Sequence, residues 1–215
     1  MINASIEKAL WILGVTLIAT YGAMRASADV RRQEGIAAFT QARLALRAPR
    51  AELTASGPDQ SAWSAARIRA YAATGVSQPP SLPDAVLRIP SVHLAVPVYA
   101  NTSASNLDRG AGLITGTARP EVAGNVGIAA HRDGFFRALK DVAVGDRLEI
   151  ERLSGTRVYR VSALSIVSPE DMRPLQQTSR FMVTLVTCYP FYYVGNAPRR
   201  YIVRAVAVDT EGESR

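Results

Sequence analysis

Cysteine occurs once in these 215 residues, at Cys188, and histidine twice, at His93 and His131. A single thiol excludes any intramolecular disulfide, and one cysteine with two histidines fails the ligand spacings of zinc sites. Neither a metal nor a cofactor is therefore expected. A redox function is a poor reading as well, because no second cysteine is present to resolve an oxidised one. Lysine is almost missing: Lys8 and Lys140 are two of 25 basic residues. The net charge of +7 is thus an arginine surplus spread along the chain. Blocks of about five or six like charges are absent, so no nucleic acid is expected as a partner. Charged residues make up 20% and hydrophobic residues 48%, a globular balance rather than a disordered one. The length allows one domain of ordinary size plus extra segments, and no internal repeat is present.

Long apolar runs are also scarce, with one exception. Ala9 to Met24 carries no charge and is bracketed by Glu7-Lys8 and Arg25. This is near the short end of the roughly 17–25 residues a membrane helix needs. Ala26-Ser27-Ala28 is an A-x-A pattern, which keeps a cleaved signal peptide open. The run exceeds the usual apolar core of such a peptide, so residues 1–28 are read as an uncleaved transmembrane anchor. The charges near its ends point the other way from an exported domain. Lys8 lies on one side, while Arg25, Arg31 and Arg32 lie on the other and favour a cytoplasmic C-terminal part.

Residues 29–83 read as a helical, Pro-rich stalk and linker. Ile36, Phe39, Ala42 and Leu46 recur at helical steps between Arg31 and Arg47. Pro49 and Gly57-Pro58 interrupt the pattern, and Ser61 to Ala73 resumes it with Trp63 and Tyr71. That second helix is either a spacer or a lid packed across the following domain. Pro79, Pro80 and Pro83 then form a stiff linker.

Residues 84–215 change texture to short runs rich in Val, Ile and Leu. Strands are expected near 86–89, 93–99, 125–130, 146–152, 156–167, 181–188 and 200–208, with a loop or short helix over Arg132–Leu139. So many strands with so little helix predict a mainly β domain, a small closed barrel.

Three segments of this domain carry chemistry. Thr184-Leu185-Val186-Thr187-Cys188 ends on the lone thiol. Arg200 opens a strand twelve positions later. If the two strands are antiparallel neighbours, Arg200 comes to lie beside Cys188. Arg199 then points to the opposite face, and Arg204 lies roughly 13 Å further along at about 3.3 Å per residue. Upstream, Gly124-Asn125-Val126-Gly127-Ile128-Ala129-Ala130 leads into His131. A thiol attacks as its thiolate, a minor form at neutral pH for a free pKa near 8.5. His131 can take that proton and later protonate a leaving amine. Arg200 offers a fixed charge and a donor fork for an oxyanion. His93 is read as a strand-surface residue and Asp133 as a cap for the following segment. Thr187 falls on the strand face opposite Cys188.

These blocks resemble the sortases, the membrane-anchored cysteine transpeptidases of bacteria. TLVTC is similar to the family's TLxTC, GNVGIAAHRDGFF to the segment around its histidine, and RYIVRA to its arginine-led strand. The continuations His-Arg-Asp-Gly-Phe-Phe and Cys-Tyr-Pro-Phe look most like the class D branch, and the resemblance covers roughly residues 84–208. Ala130 departs from the glycine that many members carry there. The resemblance implies an eight-stranded barrel, with Cys188, His131 and Arg200 as catalytic residues and Thr187 as an aid to substrate positioning. It also implies an exported protein substrate with an LPxTG-like sorting signal, an amine acceptor, and a domain outside the cytoplasmic membrane. Net hydrolysis is a close variant. A membrane-tethered binding or scaffold module on the same barrel, with Cys188 incidental, is the alternative.

Overall fold

The computed structural model describes residues 4–47, 82–192 and 196–208. The Ser61–Ala73 helix, its lid role and the linker up to Pro80 lie outside the described residues. Helix α1 spans Ala4–Arg47, 44 residues, or about 66 Å at 1.5 Å per residue. Nothing within it breaks a helix, because the first proline is Pro49. Its hydroxyls are satisfied internally: Thr16 donates to the Ile12 carbonyl and Thr20 to the Thr16 carbonyl, both at 2.8 Å. The apolar segment and the first stalk helix, separate in composition, are therefore one rod.

The C-terminal half of that rod packs on the barrel instead of standing off as a spacer. Phe39 is buried at 1% exposure. Gly35 is buried against β2 (Leu94–Tyr99), where an added Cβ would sit 2.8 Å from Tyr99 Oη and 3.0 Å from Pro97 Cγ. One turn beyond Phe39, Arg43 pairs with Glu151, which Arg88 also contacts at 3.1 Å. Glycine costs helix stability but here permits the close approach. Gly35→Val should therefore lift α1 from the sheet. Hydrogen exchange should speed up over residues 30–43 and stay unchanged in the barrel strands.

The remaining strands are β1 (Ala85–Ile89), β3 (Ala111–Leu113), β4 (Gly124–Ala129), β5 (Arg147–Arg152), β6 (Gly155–Val167), β7 (Phe181–Tyr189) and β8 (Arg199–Ala207). They close into an eight-stranded barrel in the order β1-β2-β3-β4-β7-β8-β6-β5. Alternate positions of each strand point inward, so Leu87, Val96, Ile128, Leu148, Leu185 and Val203 are all fully buried in one core. Closure leaves no strand edge unpaired. The strand unforeseen in the sequence is β3, only three residues long. Its Gly112 lies so near the Asn101 carbonyl oxygen that a Cβ would come within 2.3 Å. A short helix α2, Ala104–Leu107, precedes it.

Two pairings position the site. β4 and β7 are parallel, with Ala129 beside Val186. Their C-terminal ends therefore lie together, and the chain leaving β4 passes alongside Thr187 and Cys188. β7 and β8 are antiparallel, with Cys188 opposite Arg200 and Tyr189 opposite Arg199.

Candidate active site

Cys188 and Arg200 are direct cross-strand partners, so their side chains share a face with Cβ atoms about 4.5–5.5 Å apart. Both are partly buried, and Arg199 is exposed on the other face of β8. The Arg200 guanidinium Nη1 donates to the carbonyls of Ala197 at 3.3 Å and Arg199 at 3.1 Å. These bonds fold it back over the β7–β8 connection. Behind that connection Tyr189, Phe191 and Tyr201 form an aromatic cluster with centroid separations of 5.1 to 6.2 Å. Such pairs add roughly 0.5–1.5 kcal/mol each beyond burial and pack the end of β7 against the start of β8. Burial there pushes the Tyr201 phenol up.

His131 follows β4 after one residue. Its backbone is held by a tight turn: the amides of Gly134 and Phe136 both donate to the His131 carbonyl, at 3.3 and 3.2 Å. Phe136 is fully buried and anchors the 3-10 helix Phe135–Asp141 that follows. The His131 side chain is exposed at the mouth of a cleft of about 300 Å³ lined by His131, Arg132, Asp133, Cys188, Asn196, Ala197 and Arg200. The three residues expected to carry chemistry therefore line one cleft. Asp133 also lines it, and the 3-10 helix after it is capped at Gly134, with no side-chain cap bond. His93 is elsewhere, closing the turn before β2 in a left-handed conformation with φ 53°.

Thr187 is not on the cleft. It is 2% exposed and points into the barrel, and its hydroxyl donates to the Ala130 carbonyl at 2.8 Å. The Ala130 amide donates in turn to the Val186 carbonyl at 3.3 Å. Thr187 thus ties the residue before the histidine to the residue before the cysteine. Thr187→Val removes the donor and leaves a buried acceptor short of a partner, a change worth roughly 1–3 kcal/mol. The expected result is a kcat lower by about tenfold or more with KM little changed, recovered by Thr187→Ser.

Asn125 and Thr184 went unnoticed in the sequence. Asn125 Nδ2 donates to the carbonyls of Pro174 at 2.8 Å and Gln176 at 3.1 Å. Thr184 Oγ1 donates to Asn125 Oδ1 at 2.8 Å. The pair pins the β6–β7 loop across the outer face of β4 and β7. Two polar residues inside apolar strands were the available signal. The same loop closes on itself through Asp171, whose carboxylate accepts from the Arg173 side chain and then from its backbone amide, holding its pKa at about 2. A depressed carboxylate contributes order above its unfolded value near 3.8 and loses it as pH falls through about 2. Loop order should therefore stay constant from about pH 5 to 8, a point checked by hydrogen exchange over residues 168–178. Among the described residues no cluster of His, Cys, Asp and Glu has the makings of a metal site.

Residues 87–208 match the sortase domain family. The chain belongs to the sortase family. Sortase D of Bacillus subtilis (strain 168) is 34% identical over 119 residues, 55% of this chain and 60% of that protein. The match thus covers less than two thirds of that relative. A crystal structure of sortase C1 from Streptococcus agalactiae superposes with a TM-score of 0.54 at 30% identity, covering 58% of this chain and 68% of that one. The Clostridium perfringens Sortase D5 transpeptidase gives 0.53 at 27% identity, covering 59% and 79%. This sortase is class D-like, as the residues after His131 and Cys188 led one to expect.

Proposed function

We propose that this sortase is a membrane-anchored cysteine transpeptidase that cleaves an LPxTG-like sorting signal in an exported protein. The observation that carries the reading is the convergence of Cys188, His131 and Arg200 on one cleft from three separate strand ends. The Cys188 thiolate attacks the scissile carbonyl carbon. Arg200 turns its fork to the developing oxyanion, a stabilisation whose loss commonly costs 10²–10³-fold. His131 gives a proton to the departing amine, leaving the acyl group on Cys188 as a thioester. An incoming amine, deprotonated by His131, then takes the acyl group and releases the thiolate; water in its place gives net hydrolysis. Thr187 acts in this scheme as a positioning residue, through Ala130, and Arg132 and Asp133 border the substrate's path. Incubating the full chain in neutral detergent with an LPxTG-like peptide and a primary amine tests the reaction, the expected product being the peptide amide formed with the acceptor.

The anchor belongs to the same reading. Among the residues whose side chains are described, which apart from Lys8 begin at Trp11, no helix is long and apolar enough to cross a membrane. The apolar stretch itself starts two residues earlier, at Ala9. Trp11, Ile12, Val15, Leu17, Ile18 and Met24 are each more than 60% exposed, an apolar rod left uncovered by the described residues. A bilayer supplies that cover. The excess of arginines after Met24 weighs less once their partners are seen. Arg25 donates to the Asp133 carbonyl at 3.2 Å, which ties it to the folded domain that would cross with it, and Arg32 is paired within α1 by Asp29 at 3.3 Å. Protease added to intact spheroplasts should digest the barrel and leave a short membrane-bound fragment. A barrel protected until lysis would place it in the cytoplasm and remove the substrate class.

A further inference from the structure

A second cleft, about 280 Å³, opens where α1 meets the 3-10 helix Phe135–Asp141. Its charged lining consists of Arg25, Arg32, Arg137 and Lys140 against the single carboxylate of Asp29, with His93 beside them. That carboxylate is already taken by Arg32 at 3.3 Å. Arg25 spends one N–H on a neutral carbonyl, that of Asp133. Arg137 stacks over the Tyr192 ring at 5.2 Å, and Lys140 is held at the rim by Asp141. Among the described residues neither Arg25 nor Arg137 makes an ion pair, and Nε of both Arg32 and Arg137 is buried without an acceptor. A cluster of guanidinium groups with unfilled donors fits a tetrahedral oxyanion, which accepts bidentately.

The cleft lies immediately after the apolar rod. Exposed apolar side chains run to Met24, and the lining begins at Arg25. We propose that this cleft binds a phosphate-bearing anion, filled in the membrane by the headgroup of an anionic lipid. The lipid arm rests on the membrane reading above; the phosphate chemistry does not. A volume just under the roughly 300–1,000 Å³ of drug-sized pockets suits a headgroup and not a whole lipid, so the acyl chains would run along α1. The site is distinct from the Cys188 cleft but shares its wall, since Gly134 and Phe135 follow directly on His131–Asp133.

Native mass spectrometry of the full chain in neutral detergent, titrated with phosphatidylglycerol, phosphatidylcholine or inorganic phosphate, tests the assignment. Wild type should retain phosphatidylglycerol over phosphatidylcholine. The double change Arg32→Gln with Lys140→Gln should weaken retention about thirtyfold, each basic group contributing roughly a fivefold factor. Lys140→Glu alone, at the exposed rim, should move in the same direction. Displacement by millimolar inorganic phosphate, with the same sensitivity to the double change, would assign the site to free phosphate within the same chemistry. Equal retention of both lipids with no phosphate binding, or a double variant that binds like wild type, overturns the proposal. Flotation with pure phosphatidylcholine vesicles separates the two readings: a chain that fails to float but binds phosphate loses its anchor and keeps this site.

Discussion

Cys188→Ala should abolish cleavage of a sorting-signal peptide, by 10⁴-fold or more on the order expected when a covalent nucleophile is removed. The melting temperature should move little. Cys188 is partly buried at the end of β7, and its thiol is free. Losing one sulfur there costs less than about 1 kcal/mol, or about 4 °C at this size. The binding-module alternative expects normal peptide affinity and no turnover in either protein. Measuring binding and cleavage side by side therefore separates the two: on the enzyme account the alanine variant still binds and only the chemistry is lost. Normal cleavage by Cys188→Ala would remove the cysteine-transpeptidase reading.

Arg200→Ala should lower kcat/KM by about 10²–10³-fold, while Arg199→Ala stays within about twofold, as expected for an exposed residue at the end of β8 that points away from Cys188. The two arginines are adjacent in sequence and differ only in face, because Cys188 pairs with Arg200 and Tyr189 with Arg199. Arg200→Lys keeps the charge and loses the fork, so an intermediate loss is expected if the fork aligns the oxyanion. His131→Ala should fall with Arg200→Ala, whereas His93→Ala, on the other cleft, should not. Steady-state kinetics on the five variants decides it. A dead Arg199→Ala beside an active Arg200→Ala would mean that β8 is shifted by one residue in solution.

Why some of this was legible and some not follows from the range of the interactions. The long strands announce themselves locally: β7 and β8 alternate or run apolar over nine residues each, and Cys188 and Arg200, the proposed catalytic pair, sit at their ends. Arg200 was placed beside Cys188 because a hairpin is a local inference. His131 needed more. Its approach to Cys188 depends on the parallel β4–β7 pairing, which joins segments some 57 residues apart and leaves no local pattern. The same distance hid the role of Thr187. Strand alternation correctly put it opposite Cys188, but only the closed barrel shows that face to be the interior, where the hydroxyl meets the Ala130 carbonyl. β3 escaped notice because three residues, one of them Gly112, carry too little pattern to register. In the N-terminal region, charge and composition divided what the backbone joins. Arg25 and Asp29 mark a boundary in hydropathy, yet no residue there interrupts a helix, and Gly35 and Phe39 turn its second half onto the sheet.

The central claim is that acyl transfer passes through a covalent bond to Cys188. Intact-mass spectrometry of the full chain, quenched in acid during turnover of an LPxTG-like peptide, tests it most directly. The account predicts an adduct equal to the acyl portion of the peptide, mapped to the fragment containing Cys188, released by hydroxylamine and missing in Cys188→Ala. Turnover with no such adduct under single-turnover quenching, or an adduct that persists in Cys188→Ala, would contradict it.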